Sequence, residues 1–158
     1  MISKTEKHQY YFEVQLKWKE GRRGILTAND VIGTIEVATA PEFAGGIPDM
    51  WSPEHLFLNS LSSCLMTTYL AIAEKQELTV CDFTCTAIGQ IQLVEGHLEF
   101  TTINLFPKIY VEKETDIPVA NDVLLKSYRH CIIANSIKSL LVNHGEVLLT
   151  KKAVSVIY

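Results

Sequence analysis

The sequence predicts a mixed α+β fold with the order βββ-α-ββ-αα-β, in a single domain over residues 1–158. Three observations carry this. Tyr10, Phe12, Val14, Leu16 and Trp18 alternate with more polar neighbours, the period-2 pattern of a strand with one buried face. A stretch from Leu56 to Ala73 carries no charge and has helical spacing. Two long β-rich runs then flank Glu95-Gly96, as in a hairpin.

The elements follow in order. After the first strand, Glu20-Gly21-Arg22-Arg23-Gly24 makes a turn. Residues 24–27 and 31–39 read as two more strands, with Asn29-Asp30 at the bend, completing a three-stranded meander. Residues 41–51 form a loop rich in Gly and Pro. Ser52-Pro53-Glu54 then opens a helix: Ser is a good N-cap, Pro suits the first helical position, and an early Glu complements the helix dipole. This helix should run to about Gln76 and, being apolar or small nearly all round, be buried on most sides. Ser60, Ser63, Cys64, Thr67 and Ala71 form a small-residue stripe that lets another backbone approach closely. Residues 79–94 and 97–111 form the hairpin. Residues 118–130 read as a second helix. Asn135 is expected to cap a third helix ending near His144-Gly145, because Gly often follows a helix C-terminus. Residues 147–158 read as a last strand. There is no internal repeat, linker or low-complexity segment.

Bulk composition excludes several classes. With 158 residues, 47% hydrophobic and 20% charged, the chain is long and apolar enough to bury a core. A net charge of −4 gives no support for nucleic-acid binding, which needs a basic face. No 18-residue run is fully apolar, since six Asn, Ser and Thr residues interrupt the stretch from Leu56 to Ala73, so no membrane partner is expected. The first residues lack the apolar core of a secretory signal, so a cytoplasmic protein is expected. Four cysteines in a reducing compartment point to buried, catalytic or metal-binding thiols rather than structural disulfides.

Cys64 and Cys131 are the thiols with telling contexts. Cys64 lies in the uncharged helix, where the ordinary reading is a small buried hydrophobe and where no neighbour in sequence supplies a cation. Cys131 follows Arg129-His130, but residues one or two apart on a helix do not face each other. Those cations help only if the helix ends or bends there, which the change of pattern at Ile132 allows; the ordinary reading is core packing beside Ile132 and Ile133. Cys81 and Cys85 would share a strand face ~13 Å apart and read as structural. The five His residues are scattered, so no metal site is expected and no cofactor is implied. Taken singly, Arg22 and Arg23 are a solvated turn and Glu54 a first-turn helix residue.

Three segments together resemble the OsmC/Ohr family, the osmotically inducible and organic-hydroperoxide-resistance proteins, in its OsmC-like branch. Gly21-Arg22-Arg23-Gly24 is similar to the family's G-R-x-G turn. Pro53-Glu54-His55-Leu56-Phe57, with Cys64 ten residues after Glu54, is similar to N-P-E-Q-L-F-A followed by the cysteine of A-A-C. His130-Cys131 with Asn135 is similar to the C-P-x-S-N segment. Ile132 stands where the family has Pro, Ala134 where Ser is usual, and Ser52 where Asn precedes the Pro.

The resemblance implies antiparallel sheets around a long central buried helix, in an intertwined homodimer with active sites at the subunit boundary. It implies that Cys64 is the peroxidatic thiol and Cys131 the resolving thiol. Arg22 would stabilise the Cys64 thiolate, and Glu54 would hold that arginine. The substrate would be an organic hydroperoxide and the reductant a dithiol or lipoyl-type partner. Glu54 and Cys64 lie ~15 Å apart along a straight helix, so one site needs either a bent helix start or Glu54 from the partner subunit, and the latter is preferred. Apolar Met50, Trp51, Phe57, Leu61 and Leu65 would favour organic hydroperoxides over hydrogen peroxide. The rival expectation is a non-catalytic member that binds a small hydrophobic ligand with Cys64 inert; a redox sensor or scaffold is a third.

Overall fold

The computed structural model describes residues 9–150. By its contacts the chain divides into two compact units, one ending at Leu56 and the other beginning at Phe57. In the first, strands β1 (Gln15–Glu20), β2 (Arg23–Thr27) and β3 (Ile35–Ala38) form an antiparallel meander in that order. The first strand begins later than its alternation suggests, and its apolar row stays uncovered: Phe12 is 92% exposed and Trp18 71%. The period-2 pattern therefore marks a face that the first unit's own described residues do not bury. The third strand is shorter than expected, with Gly33 at φ 102 just before it.

The loop after β3 folds back on itself through Ile47 N–H to Thr39 O (3.0 Å) and Ala38 N–H to Trp51 O (2.8 Å). Ser52 then starts helix α1 (Pro53–Lys75). His55 stands in for the usual acidic partner of a capping box. Its N–H reaches Ser52 Oγ at 3.4 Å, and its Nδ1 lies 2.9 Å from that hydroxyl and 3.3 Å from Ser52 N.

The second unit is built on strands β4 (Asp82–Val94) and β5 (His97–Val111), which pair antiparallel along their whole length. Helix α2 (Ile117–His130) follows, entered by a 3-10 turn at Glu114–Asp116. Its Ala120, Val123, Leu124 and Ser127 recur at i, i+3, i+4 and i+7 and are all buried.

The expected third helix is a single 3-10 turn, Ala134–Ser136. Ile137 already has extended backbone (φ −113, ψ 152), and the chain becomes strand β6 (Leu140–Asn143). The cause is tertiary: β6 and then β7 (Glu146–Leu149) pair parallel with β5, whose backbone offers a ladder that a helix here could not use. These two pairings are the exception to the antiparallel sheets expected. Pro107, which has no N–H to give, stands on β5 between the stretch paired with β6 and the stretch paired with β7. Gly145 joins the two strands instead of ending a helix. The expected last strand is β7 for as far as it lies within the described residues; 151–158 fall outside them.

Helix α1 is long and apolar enough to cross a membrane by length and composition alone. Its buried residues, however, are one stripe, Leu61, Leu65, Tyr69 and Ala73, packed into the second unit's core. Leu61 and Leu65 meet Ile103, Leu105 and Cys131. Tyr69 and Ala73 meet Ile109, Val111, Ala120, Val123 and Leu124, and Tyr69 Oη donates to Ala120 O at 3.2 Å. The expectation of burial on most sides is thus narrowed to one face. Ser63, Thr67, Leu70 and Ala71 on the other side are exposed.

Candidate active site around Cys64 and Cys131

Cys131 is the last residue of the α2 turn system. Its N–H still bonds to Ser127 O at 2.9 Å, but its own backbone is extended (φ −67, ψ 114), so the helix stops there. The stop is held by Asn135, whose Nδ2 donates to Arg129 O at 3.0 Å and whose N–H donates to Cys131 O at 3.1 Å. Between them the chain turns tightly enough that Ala134 N–H points at Cys131 Sγ, 3.4 Å away. The thiol has zero exposure among Leu61, Leu65, Ile103 and Leu105.

Cys64 arrives on α1, one turn after Leu61 and next to Leu65, and packs half-buried against the same cluster. The structure therefore brings the two thiols into one cluster, where Cys64 packs against the buried group that includes Cys131. The polar groups that favour its charged form are the backbone N–H of Ile133, the Cys131 thiol, the Thr68 hydroxyl and the backbone N–H of Ile132. Burial pushes the Cys64 thiol up, but these polar neighbours outweigh it and hold the thiol below its ordinary value. Cys131 goes the other way. Burial raises it first, and Cys64 raises it again, since a thiol near a sulfur that ionises more easily resists losing its own proton. The Cys64 thiol is thus the easier of the two to ionise and the Cys131 thiol the harder. That asymmetry suits a nucleophile and a resolving group.

Arg129 and His130, adjacent to Cys131 in sequence, are exposed at the end of α2 and are not among these groups. His130 instead borders an open hollow of about 450 Å³ that Thr67, Thr68, Ala71, Ile72 and Lys75 also line. A third cysteine, Cys85 on β4, packs against the same cluster as the pair, and burial raises its thiol. Cys81 is exposed just before β4.

Arg22 and Glu54 belong to the first unit. Gly21, at φ 49, makes the turn that presents Arg22, and Gly24 lets β1 pass close by, since a Cβ there would sit 2.8 Å from Leu16 Cδ1. Arg22 Nη1 donates to Ala44 O at 2.5 Å, and its guanidinium lies along Gly45. Arg23 takes the acidic partners, Glu20 at 3.4 Å and Glu36 at 3.5 Å. Glu54 forms no ion pair among the described residues, and its Oε2 is buried without a hydrogen-bond partner. Helix α1 is unbroken from Pro53 to Lys75, so its start is not bent away from Cys64 by any interruption of the helix.

One family model, that of the OsmC-like proteins, matches residues 46–143, more than half of the sequence. The chain belongs to this family. The matched segment of this OsmC-like chain includes Glu54, Cys64, Cys131 and Asn135, while Arg22 precedes it. Solved structures agree on the fold. An OsmC-like protein of unknown function from Vibrio cholerae has a TM-score of 0.79 at 21% identity, over 87% of this chain and 100% of that one. An organic hydroperoxide resistance protein from Elizabethkingia anophelis gives 0.68 at 21%, over 92% and 99%. An organic hydroperoxide resistance protein from Legionella pneumophila gives 0.66 at 17%, over 92% and 100%. No curated protein sequence matches this chain.

Sequence reasoning did not find Thr68 or the amides of Ile132 and Ile133. The first left a signal: Thr68 is four residues after Cys64 and shares its helix face. The amides left none, because every residue carries one and only the fold aims it.

Proposed function

We propose that this OsmC-like protein is a thiol peroxidase that reduces organic hydroperoxides through Cys64 and Cys131. The observation that carries the reading is that Cys64 packs against the cluster holding the buried Cys131, with the Cys64 thiol lowered and the Cys131 thiol raised. The Cys64 thiolate attacks the O–O bond; the leaving alkoxide takes a proton and departs as alcohol, and Cys64 becomes a sulfenic acid. The Cys131 thiol condenses with it, forming a disulfide and releasing water. An external dithiol, free or lipoyl-bearing, then exchanges with the disulfide and restores both thiols. Family membership and hydroperoxide-resistance relatives of the same fold support the reading at the level of a peroxidase-like role.

A homodimer in the cytoplasm completes the proposal. The uncovered row Phe12, Leu16 and Trp18 and the exposed small residues Ser63, Thr67 and Ala71 support close packing of a second copy. Glu54, with one buried oxygen unpaired, is a fitting acceptor for a partner's arginine, and Arg22 is the arginine proposed to act on Cys64.

The test is a peptide map after one equivalent of an organic hydroperoxide meets the reduced protein. A fast Cys64–Cys131 disulfide, slower with hydrogen peroxide, is expected. Two free thiols after that treatment would refute the peroxidase and leave ligand binding as the function.

A further inference from the structure

The start of α1 is held by an imidazole where a capping box ordinarily has a carboxylate or an amide. Ser52 is fully buried, and its carbonyl accepts the first bond of the helix, from Leu56 N–H at 3.0 Å. Its amide and its hydroxyl converge on one atom, His55 Nδ1, at 3.3 and 2.9 Å. An amide can only donate, so Nδ1 is the bare nitrogen of a neutral ring and the ring proton sits on Nε2. The Ser52 hydroxyl donates to Nδ1 and accepts from His55 N–H at 3.4 Å. The rest of the ring is exposed and borders an open hollow of about 550 Å³. Glu42 and Asp49 line that hollow with Trp51, whose ring meets His55 edge-on at 6.1 Å. Neither carboxylate has a hydrogen bond or ion pair among the described residues.

We propose that His55 is a pH switch on the start of α1: neutral, it holds Ser52; protonated, it releases Ser52 and turns to Glu42 and Asp49. Imidazole is the side chain whose charge ordinarily changes between about pH 5 and 8. A proton on Nδ1 sets one N–H against another, so the bonds from the Ser52 amide and hydroxyl are lost together. The new charge also lies in the first turn of the helix, at the positive end of its dipole, where a cation is unfavourable. Glu42 and Asp49 are the charged groups that face the ring across the hollow, and they offer an imidazolium the acceptors that the cap no longer can. Glu54 is the charged group beside it on its own helix. The motif that this segment resembles has glutamine in place of His55, which caps by the same bond and carries no titratable proton, so the switch belongs to this chain. What it moves is Glu54, whose buried Oε2 has no partner. That consequence rests on the reading of Glu54 as part of the peroxidase site; the switch itself does not.

The experiment is nitrogen-15 NMR of the reduced full chain at about pH 7.5 and about pH 5, either side of the usual imidazole transition. It reads the His55 ring nitrogens and the hydrogen-exchange protection of the Ser52 amide, with the intrinsic pH dependence of exchange divided out. At the higher pH a bare Nδ1 and a protonated Nε2 are expected; at the lower pH both carry a proton. Ser52 protection is expected to fall at least about fivefold on acidification, the size of a lost cap. His55→Gln keeps an acceptor and cannot titrate, so its Ser52 protection should stay level within about twofold. Glu42→Gln combined with Asp49→Asn should leave the protection at the higher pH unchanged and weaken the fall at the lower. A proton on Nδ1 at the higher pH, a bare Nδ1 at the lower, level Ser52 protection in the wild type or an equal fall in His55→Gln would each overturn the switch. An undiminished fall in the carboxylate variant would overturn the part given to Glu42 and Asp49. No peroxide is involved, so a chain that fails as a peroxidase can still show the switch, and one that reduces hydroperoxide can lack it.

Discussion

Replacing Cys131 separates its two roles, donor and resolving group. In Cys131→Ser a hydroxyl remains to donate to Cys64, but no disulfide forms. In Cys131→Ala both are lost. Cys131 is one of four polar groups that favour the Cys64 thiolate, and removal of a hydrogen bond to a charged group is worth about 1.5–3 kcal/mol, or roughly one to two pH units. At a pH below the Cys64 midpoint, Cys131→Ala should therefore hold at least about tenfold less thiolate than Cys131→Ser, and its first peroxide should be consumed correspondingly slower. Both should stop after one equivalent without an added thiol, with Cys64 trapped as sulfenic acid. Rapid-quench mixing with an organic hydroperoxide, followed by dimedone labelling and peptide mass spectrometry, reads both quantities. Continued turnover in Cys131→Ser with a dithiol that cannot itself attack a sulfenic acid would show that Cys131 is not the resolving group. Equal first-turnover rates in the two variants would show that the Cys131 side chain does nothing for the thiolate.

Two further outcomes follow from the packing. Burial raises the ionisable groups Tyr69 (to about 12), Tyr128, Cys85 and Cys131 above their unfolded values. Each adds stability that is complete below its unfolded pKa, about 8.5 for Cys and 10 for Tyr, and is lost as pH rises toward the folded value; Cys64, shifted down, acts in the opposite sense at pH below about 8.5. The melting temperature of the reduced protein should fall between pH 8.5 and 11, and a flat or rising profile in calorimetry would contradict this. Gly46→Ala would place a Cβ 2.1 Å from Ala40 O and 2.6 Å from Pro41 Cα, backbone atoms that cannot swing away, so a loss of roughly 1–3 kcal/mol is expected in urea unfolding. An unchanged urea midpoint would mean that the loop before α1 relaxes freely.

The sequence by itself determined the elements whose signals are local. Ser52-Pro53 marks the start of α1, Glu95-Gly96 the hairpin tip and Ile117–His130 an amphipathic helix, and all three stand where chain chemistry puts them. Motif order also marked Cys64 and Cys131 as the residues to watch. What it misjudged depends on distant partners. Residues 137–142 have no strong helix or strand signal of their own, and parallel pairing with β5 makes them strand. The uncharged α1 looks buried all round, but burial is decided by what packs on it, and one stripe is covered. The state of each sulfur was likewise beyond the sequence. The cations next to Cys131 in the chain play no part in its hydrogen bonding. The groups that favour the Cys64 thiolate are the Ile133 and Ile132 amides and the Cys131 thiol, which folding alone brings across from α2, and Thr68 one turn away. Hydrogen bonds act over about 3 Å and care only for position in space, so the tertiary structure decides which thiol gives up its proton.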